Sequence, residues 1–324
     1  MEPVPEHLLE RLNAFRESRL LLTAIELDVF TAVGEGSTAT ETAARVGTAL
    51  RSTEMLLDAL VAVGLLGKRE DRYFNVPASR WFRRDTAESA RDALMHIVKL
   101  WERWSRLTAC VRKGSCVRAR RRTKAETEAF IALMHYNARW RAPLVAEAIG
   151  LEGVGRMLDL GGGSGAYAIA FAQAAPSLEA DVMDLAPVLR IARRHIEQAG
   201  VGDRVKTKVG DLRQPSYGAG YDLVFISAVC HMLDPQENRA MLRKSHAALH
   251  PGGRVVIQDF ILEPDRTAPR HAALFALNML VNTPGGATYT ETEYRQWLEE
   301  AGFYPVRRLH VPGPTGLMVG WRLI

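Results

Sequence analysis

Apolar positions recur at helical spacing from the start of the chain. Leu8, Leu12, Phe15, Leu22, Ile25 and Val29 follow one another at steps of three, four and seven, which predicts an amphipathic helix over residues 5–30. Thr38-Ala39-Thr40-Glu41 is a capping-box pattern that opens a second helix, and Gly47 is placed to end it. A third helix is predicted from about Ser52 to Val63, with Met55, Leu56, Leu60 and Val63 on one face. The stretch GLLGKREDRYFNVP then carries short β-prone pieces around a charged turn. Helix, turn, helix and hairpin together make a winged-helix pattern. Residues 86–150 read as helix-rich, with Trp101, Trp104 and the run AFIALMHYNARW packed over something apolar.

From Val154 the period changes. VGRMLDL, LEADVMDL, RVKTKVGDL, YDLVFISAV and RVVIQDFIL are short strand signals, and helical stretches separate them. The helix ENRAMLRKSHAAL is expected to end at His250-Pro251-Gly252-Gly253. FYPVRRLHV and GLMVGWRLI flank PGPT as a closing β-hairpin. Strands alternating with helices predict an α/β fold with a Rossmann-like, doubly wound, mainly parallel sheet. The divisions expected are 1–95 for the winged helix, 96–150 for a helical linker with pocket helices, and 151–324 for the α/β domain.

Composition narrows the class. The 324 residues are 47% hydrophobic and 24% charged, as in ordinary globular proteins, and no apolar run approaches a membrane span. MEPVPEHLLERL has early acids and no apolar core, so it does not read as an export signal. Cys110, Cys116 and Cys230 lack metal spacing and suit a reducing cytosol. The net charge of +5 could suggest nucleic acid, but much of the excess sits in one cluster: Arg112, Lys113, Arg118, Arg120, Arg121, Arg122 and Lys124. The second helix of the winged-helix pattern, STEMLLDALVAV, is apolar and slightly acidic. It lacks the cations a helix in a DNA groove would carry, so a regulator that binds DNA is disfavoured.

Ligands of a doubly wound sheet bind outside the carboxyl ends of its strands. The first strand ends in Asp159 and the loop LGGGSG, whose glycines let the backbone approach a ligand. The following helix start offers free N–H groups to an anionic group. A dinucleotide fingerprint needs a third glycine where Ala166 stands, which weakens a NAD-dependent oxidoreductase. The second strand ends at Asp184, an acid able to accept two ribose hydroxyls. The third ends in Gly210-Asp211-Leu212, where the acid can take an adenine amine and the leucine can pack on the ring. The fourth runs into Ser227-Ala228-Val229-Cys230-His231, and the histidine is a candidate general base.

In this order the motifs resemble those of the small-molecule O-methyltransferases. That group includes plant caffeic acid and flavonoid enzymes, the animal acetylserotonin enzyme and bacterial antibiotic-tailoring enzymes. LDLGGGSG, the DL-A-P after strand two, GDL, the histidine after strand four, PGG and EYRQWLEEAGF carry the resemblance over nearly the whole chain. It implies S-adenosylmethionine as cofactor, a winged-helix dimerisation domain, a homodimer, a cytoplasmic location and a small-molecule acceptor, with no nucleic acid, membrane or metal. Gly161 and Gly163 then fall at the methionine end of the cofactor, Asp184 at the ribose, and Asp211 and Leu212 at the adenine, with Asp159 also among the cofactor-binding residues. Ser227 stands where plant members have a lysine and many bacterial ones a serine. His231 matches the base, and Asp259 lies where an acid often orients it. Met134, His135, Trp140, Met279 and Asn282 are candidates to bound the acceptor pocket. Two departures stand out. The usual His-Asp-Trp becomes His231-Met232-Leu233, and the second orienting glutamate of plant members falls at Thr288. Some members methylate nitrogen or carbon, or no longer methylate.

Overall fold

In the computed structural model, which describes residues 3–117 and 123–324, the helix expected over residues 5–30 is three pieces: Glu6–Asn13, Phe15–Glu26 and Val29–Val33. Asp28 sits at φ 61°, a left-handed conformation that a right-handed helix cannot pass through. Leu22, Ile25 and Val29 are buried, whereas Leu8, Leu12 and Phe15 stay exposed in the single chain. Arg118, Arg120, Arg121 and Arg122 of the basic cluster lie outside the described residues.

The chain divides into two compact units, Met1–Trp101 and Glu102–Ile324. In the first, Thr38 caps the helix Ala39–Val46 as its sequence predicts. Its Oγ1 accepts from the Glu41 N–H at 3.2 Å, and Glu41 accepts from the Thr38 N–H at 2.9 Å. Such a cap stabilises a helix by about 1 kcal/mol. Gly47 ends this helix at φ 69°. The next helix, Leu50–Ala62, buries Thr53, Leu57 and Leu60, so its inner face is rotated from the predicted one. Met55 is 58% exposed and Val63 38%. Almost every position from Met55 to Val63 is apolar, so periodicity alone could not choose the face. Strands Leu66–Arg69 and Arg72–Asn75 form the antiparallel wing, joined by Ser37–Thr38.

Among the described residues, seven strands of the second unit form one sheet. They are β1 (Arg156–Leu160), β2 (Glu179–Asp184), β3 (Val205–Val209), β4 (Tyr221–Ser227), β5 (Leu249–Asp259), β6 (Phe303–Leu309) and β7 (Gly316–Arg322). The order is β6-β7-β5-β4-β1-β2-β3. The strands from β1 to β5 pair in parallel, while β7 inserts antiparallel between β5 and β6. The predicted hairpin therefore completes the sheet. His250-Pro251-Gly252-Gly253 differs from expectation, because these residues lie inside β5 and not in a turn before it. The register shift between Tyr221 and Leu223 on β4 absorbs them.

Six helices of this unit bear on the site: α1 (Lys124–Ile149), α2 (Ala166–Ala174), α3 (Ala186–Gln198), α4 (Pro235–Ala248), α5 (Arg270–Asn282) and α6 (Glu291–Glu300). Side chains alternate across the sheet. Met157, Val182 and Phe225 join one core with Val145, Phe171 and Leu189. Leu158, Met183 and Val224 join the other with Met241, Leu242 and Trp297. Burial on both faces explains the near-continuous apolar runs of the central strands. Each fully buried side chain of this kind contributes about 1.5–3 kcal/mol. From β1 the chain goes to β2 on one side and later to β4 on the other, so the switch point lies between β1 and β4. Among the described residues, no helix is long and apolar enough to cross a membrane.

Candidate active site

The loop after β1 is built around two close approaches. Gly163 has φ 58°, and its N–H donates to Asp184 Oδ2 at 3.0 Å. Gly162 leaves no room for a side chain, because a Cβ there would lie 2.6 Å from Asp159 Cγ and 2.9 Å from Val182 Cγ1. The Gly161 N–H donates to the Met183 carbonyl at 2.8 Å. Asp184 Oδ1 also accepts from the Leu185 N–H at 2.7 Å, so the acid at the end of β2 holds both its own helix start and the glycine loop. Burial nevertheless holds the Asp184 carboxyl above its usual range.

Asp159 lies beneath this loop. It is 1% exposed, and among the described residues neither carboxyl oxygen has a hydrogen-bond partner. Burial, reinforced by the charge of Asp184, pushes its pKa up to about 7. The Ala168 N–H offsets part of this effect but falls short of hydrogen-bond geometry. Asp211 is exposed, and its Oδ1 accepts from the Arg213 N–H at 2.9 Å. The half-buried Leu212 has its carbonyl held by the Tyr217 hydroxyl at 2.7 Å. Ser227 Oγ donates to Gln258 Oε1 at 3.2 Å, across the β4–β5 pairing.

α1 covers the loop. Ile131 Cδ1 comes within 3.9 Å of the Cβ position of Gly163, and one turn on, His135 Nδ1 lies 3.0 Å from Ser164 Oγ. The His135 ring stacks on His195 of α3, with centroids 3.8 Å apart and planes at 13°. Burial, then the neighbouring His195 and Arg139, push the His135 pKa down to about 4.

The sheet register brings His231 to Asp259. Ser227 pairs with Gln258, so residues just past β4 face the last residue of β5. Ala228 makes the turn at φ 56°, an uncommon angle for a residue other than glycine. His231 Nδ1 then meets Asp259 Oδ1 at 2.7 Å, and the His231 N–H donates to Oδ2 at 3.1 Å. The Phe260 N–H donates to Oδ1 at 2.8 Å. Both residues are buried, His231 at 6% exposed and Asp259 at 1%. The Phe275 ring meets the imidazole edge-on at 4.9 Å, and Phe260 stacks on Phe275 at 3.9 Å. Thr288 is buried and, among the described residues, its hydroxyl has no partner.

The pocket candidates separate. Met279 is buried and Asn282 half-buried, both on α5 with Phe275. Met134 and His135 are half-buried on α1. Trp140, on the same helix, is 67% exposed, and the guanidinium of Arg139 lies 5.1 Å from its ring.

A family model for the O-methyltransferase domain matches residues 109–304, more than half of the chain, and a second, for the O-methyltransferase dimerisation domain, matches residues 9–85. The chain belongs to the S-adenosylmethionine-dependent O-methyltransferases. The enzyme is 32% identical to 3-hydroxy-5-methyl-1-naphthoate 3-O-methyltransferase of Streptomyces sahachiroi, over 98% of this chain and 95% of the relative. It is 29% identical to L-tyrosine C(3)-methyltransferase of Streptomyces lavendulae, over 92% and 88%. PigF of Serratia sp., solved with SAH (S-adenosylhomocysteine), superposes with a TM-score of 0.89 at 26% identity, over 98% of this chain and 100% of that one.

Several residues beside the candidate site escaped sequence reasoning. Phe275 and Asn278 could have been found, because they share helical spacing with Met279 and Asn282. Arg103 and Trp104, which hydrogen-bond Asn282 and Asn278, could not. They stand more than 170 residues away in sequence, and the hydrogen bonds carry no local signal.

Proposed function

We propose that this O-methyltransferase methylates a hydroxyl, phenolic in character, on a small aromatic or polyketide-like molecule, with His231 as general base. The 2.7 Å contact between His231 Nδ1 and Asp259 carries the reading. An ionised carboxylate only accepts, so Nδ1 bears the proton and Nε2 keeps the lone pair. Backbone N–H groups of His231 and Phe260 hold the same carboxylate, which makes it a fixed orienting group without the acid missing at Met232. An ordinary imidazole has a pKa of about 6.5 and a phenol about 10, so complete transfer is uphill by about 4.8 kcal/mol. Partial transfer in the transition state still contributes on the order of 10²–10⁴ in rate. Asp259 stabilises the imidazolium as it forms.

S-adenosylmethionine, when bound, supplies a methyl group on a positively charged sulfur. For its methionine end we infer the backbone of Gly161 and Gly163, with the buried charge of Asp159 beneath them. Two of the roughly four lone-pair positions of Asp184 are taken by backbone N–H groups, leaving capacity for ribose hydroxyls. Asp211 and Leu212 are suited to the adenine, and Ser227 to the edge nearest β4. Phe260, Phe275, Met279 and Asn282 give the acceptor side an apolar, aromatic wall with few polar groups, which suits a flat organic molecule. The dimerisation domain supports a homodimer, and the biosynthetic family is consistent with the cytoplasmic location we infer. A second reading, methyl transfer to carbon, draws on the tyrosine C-methyltransferase relative.

Labelled S-adenosylmethionine incubated with a panel of hydroxyarenes tests both. Transfer to oxygen is expected, with kcat falling about 10²–10⁴-fold in His231→Ala and Asp259→Asn while S-adenosylhomocysteine affinity stays within a few-fold. A product methylated on carbon would favour the second reading. Equal loss of turnover and cofactor affinity would remove His231 as base.

A further inference from the structure

At the C-terminal end of α5 stands a charged side chain that, among the described residues, has no charged partner. Arg103 Nη1 donates to Asn282 Oδ1 at 2.5 Å. Asn282 is itself fixed, because its Nδ2 donates to the Asn278 carbonyl at 2.6 Å and to Asn278 Oδ1 at 3.1 Å. Trp104 Nε1 donates to that same Oδ1 at 3.0 Å. The two amides therefore have one arrangement, and its outward-facing acceptor points at the guanidinium. All four side chains are half-buried. Among the described residues, no carboxylate pairs with Arg103. A neutral amide orients a guanidinium without cancelling its charge, and it uses one of five N–H donors.

This cluster faces the same way as the base. Phe275, Asn278 and Asn282 fall at i, i+3 and i+7 on α5, which puts them on one helix face. Phe275 meets the His231 ring at 4.9 Å. Seven residues of helix rise about 10 Å, so the guanidinium and the base bracket a space that a fused-ring skeleton can span.

We propose that Arg103 is an anion subsite of the acceptor pocket, and that the acceptor carries a carboxylate, or an equally acidic group, at the ring edge opposite the hydroxyl that is methylated. This rests on the hydroxyl-methylating reading above. A planar carboxylate takes two parallel N–H bonds from a guanidinium whose position is already fixed, so little side-chain freedom is lost on binding. Trp104, bonded to Asn278, and Phe275, against His231, supply flat apolar surface along α5, and the hydroxyl is left at His231 Nε2.

The experiment is calorimetry on the full chain saturated with S-adenosylhomocysteine. The probes are 6-hydroxy-2-naphthoic acid and its carboxamide, which carry the two groups at opposite ring edges and differ in charge but hardly in shape. The wild-type enzyme is expected to bind the acid about 10- to 100-fold more tightly than the amide, as for a hydrogen bond to a charged group. In Arg103→Gln that ratio collapses towards one. Arg103→Lys keeps part of it, because the charge remains and the fork is lost. Unchanged S-adenosylhomocysteine affinity in both variants reports an intact fold. Equal affinity of the wild type for the two probes, no measurable binding of the acid, or an acid preference that survives Arg103→Gln overturns the proposal. Labelled transfer to the amide's hydroxyl, lost in His231→Ala, would then leave the hydroxyl-methylating reading standing. Absence of that transfer counts against that reading and leaves the acid-to-amide binding ratio to decide Arg103.

Discussion

Asp159→Asn is expected to make the ligand-free protein more stable at neutral and alkaline pH. In the native state the carboxyl is enclosed, has no hydrogen-bond partner among the described residues, and is pushed by burial up to about 7, against an ordinary 3.8. Between those values the folded chain holds a proton that the unfolded chain has released. Stability therefore falls as pH rises from about 4 to about 7, at about 1.4 kcal/mol per pH unit, and is level beyond. The whole interval is worth about 4 kcal/mol as an upper bound. Asparagine resembles the protonated acid in size and charge, so the variant should match wild type near pH 4 and exceed it by about 2–4 kcal/mol at pH 8. For a unit of this size each kcal/mol moves Tm by about 2–4 °C. Thermal melts of both proteins without cofactor, from pH 4.5 to 8.5, measure the difference. A gap that is absent at pH 8, or that does not close towards acid, would refute the claim that burial of this charge opposes folding. The same substitution should weaken S-adenosylmethionine binding, because the negative charge beneath the loop is lost.

Gly162→Ala puts a Cβ against Asp159 and Val182 in a site with no slack, and should cost about 1–3 kcal/mol in denaturant unfolding. A midpoint equal to wild type would mean the loop yields easily. His135 works in the opposite sense to Asp159: its folded pKa is pushed down to about 4, so the stability it leaves in place at neutral pH is lost as pH falls from about 6.5 towards 4. His135→Gln should flatten the acid side of the melting profile over that window, and an unchanged slope there would contradict the burial of the imidazole pair.

The cofactor half of the site was legible in the sequence because it is local. The candidate cofactor residues Asp159, Asp184 and Asp211 each lie at or just past a strand end, and a parallel sheet aligns strand ends whatever packs on its faces. Capping chemistry was legible for the same reason, since Thr38 and Glu41 satisfy each other within one turn. Where every position was apolar, as from Met55 to Val63, or where one backbone angle decided, as at Asp28, pattern could not choose. The base site needed more. His231 and Asp259 lie 28 residues apart and meet only because Ser227 pairs with Gln258 in the sheet. Arg103 and Asn282 are 179 residues apart, and no periodicity links them. The sequence alone determined the candidate cofactor motifs at the strand ends. Tertiary structure alone decided which charges are buried, which carboxylate holds the histidine and which amide holds Arg103, because these depend on long-range packing that no local pattern records.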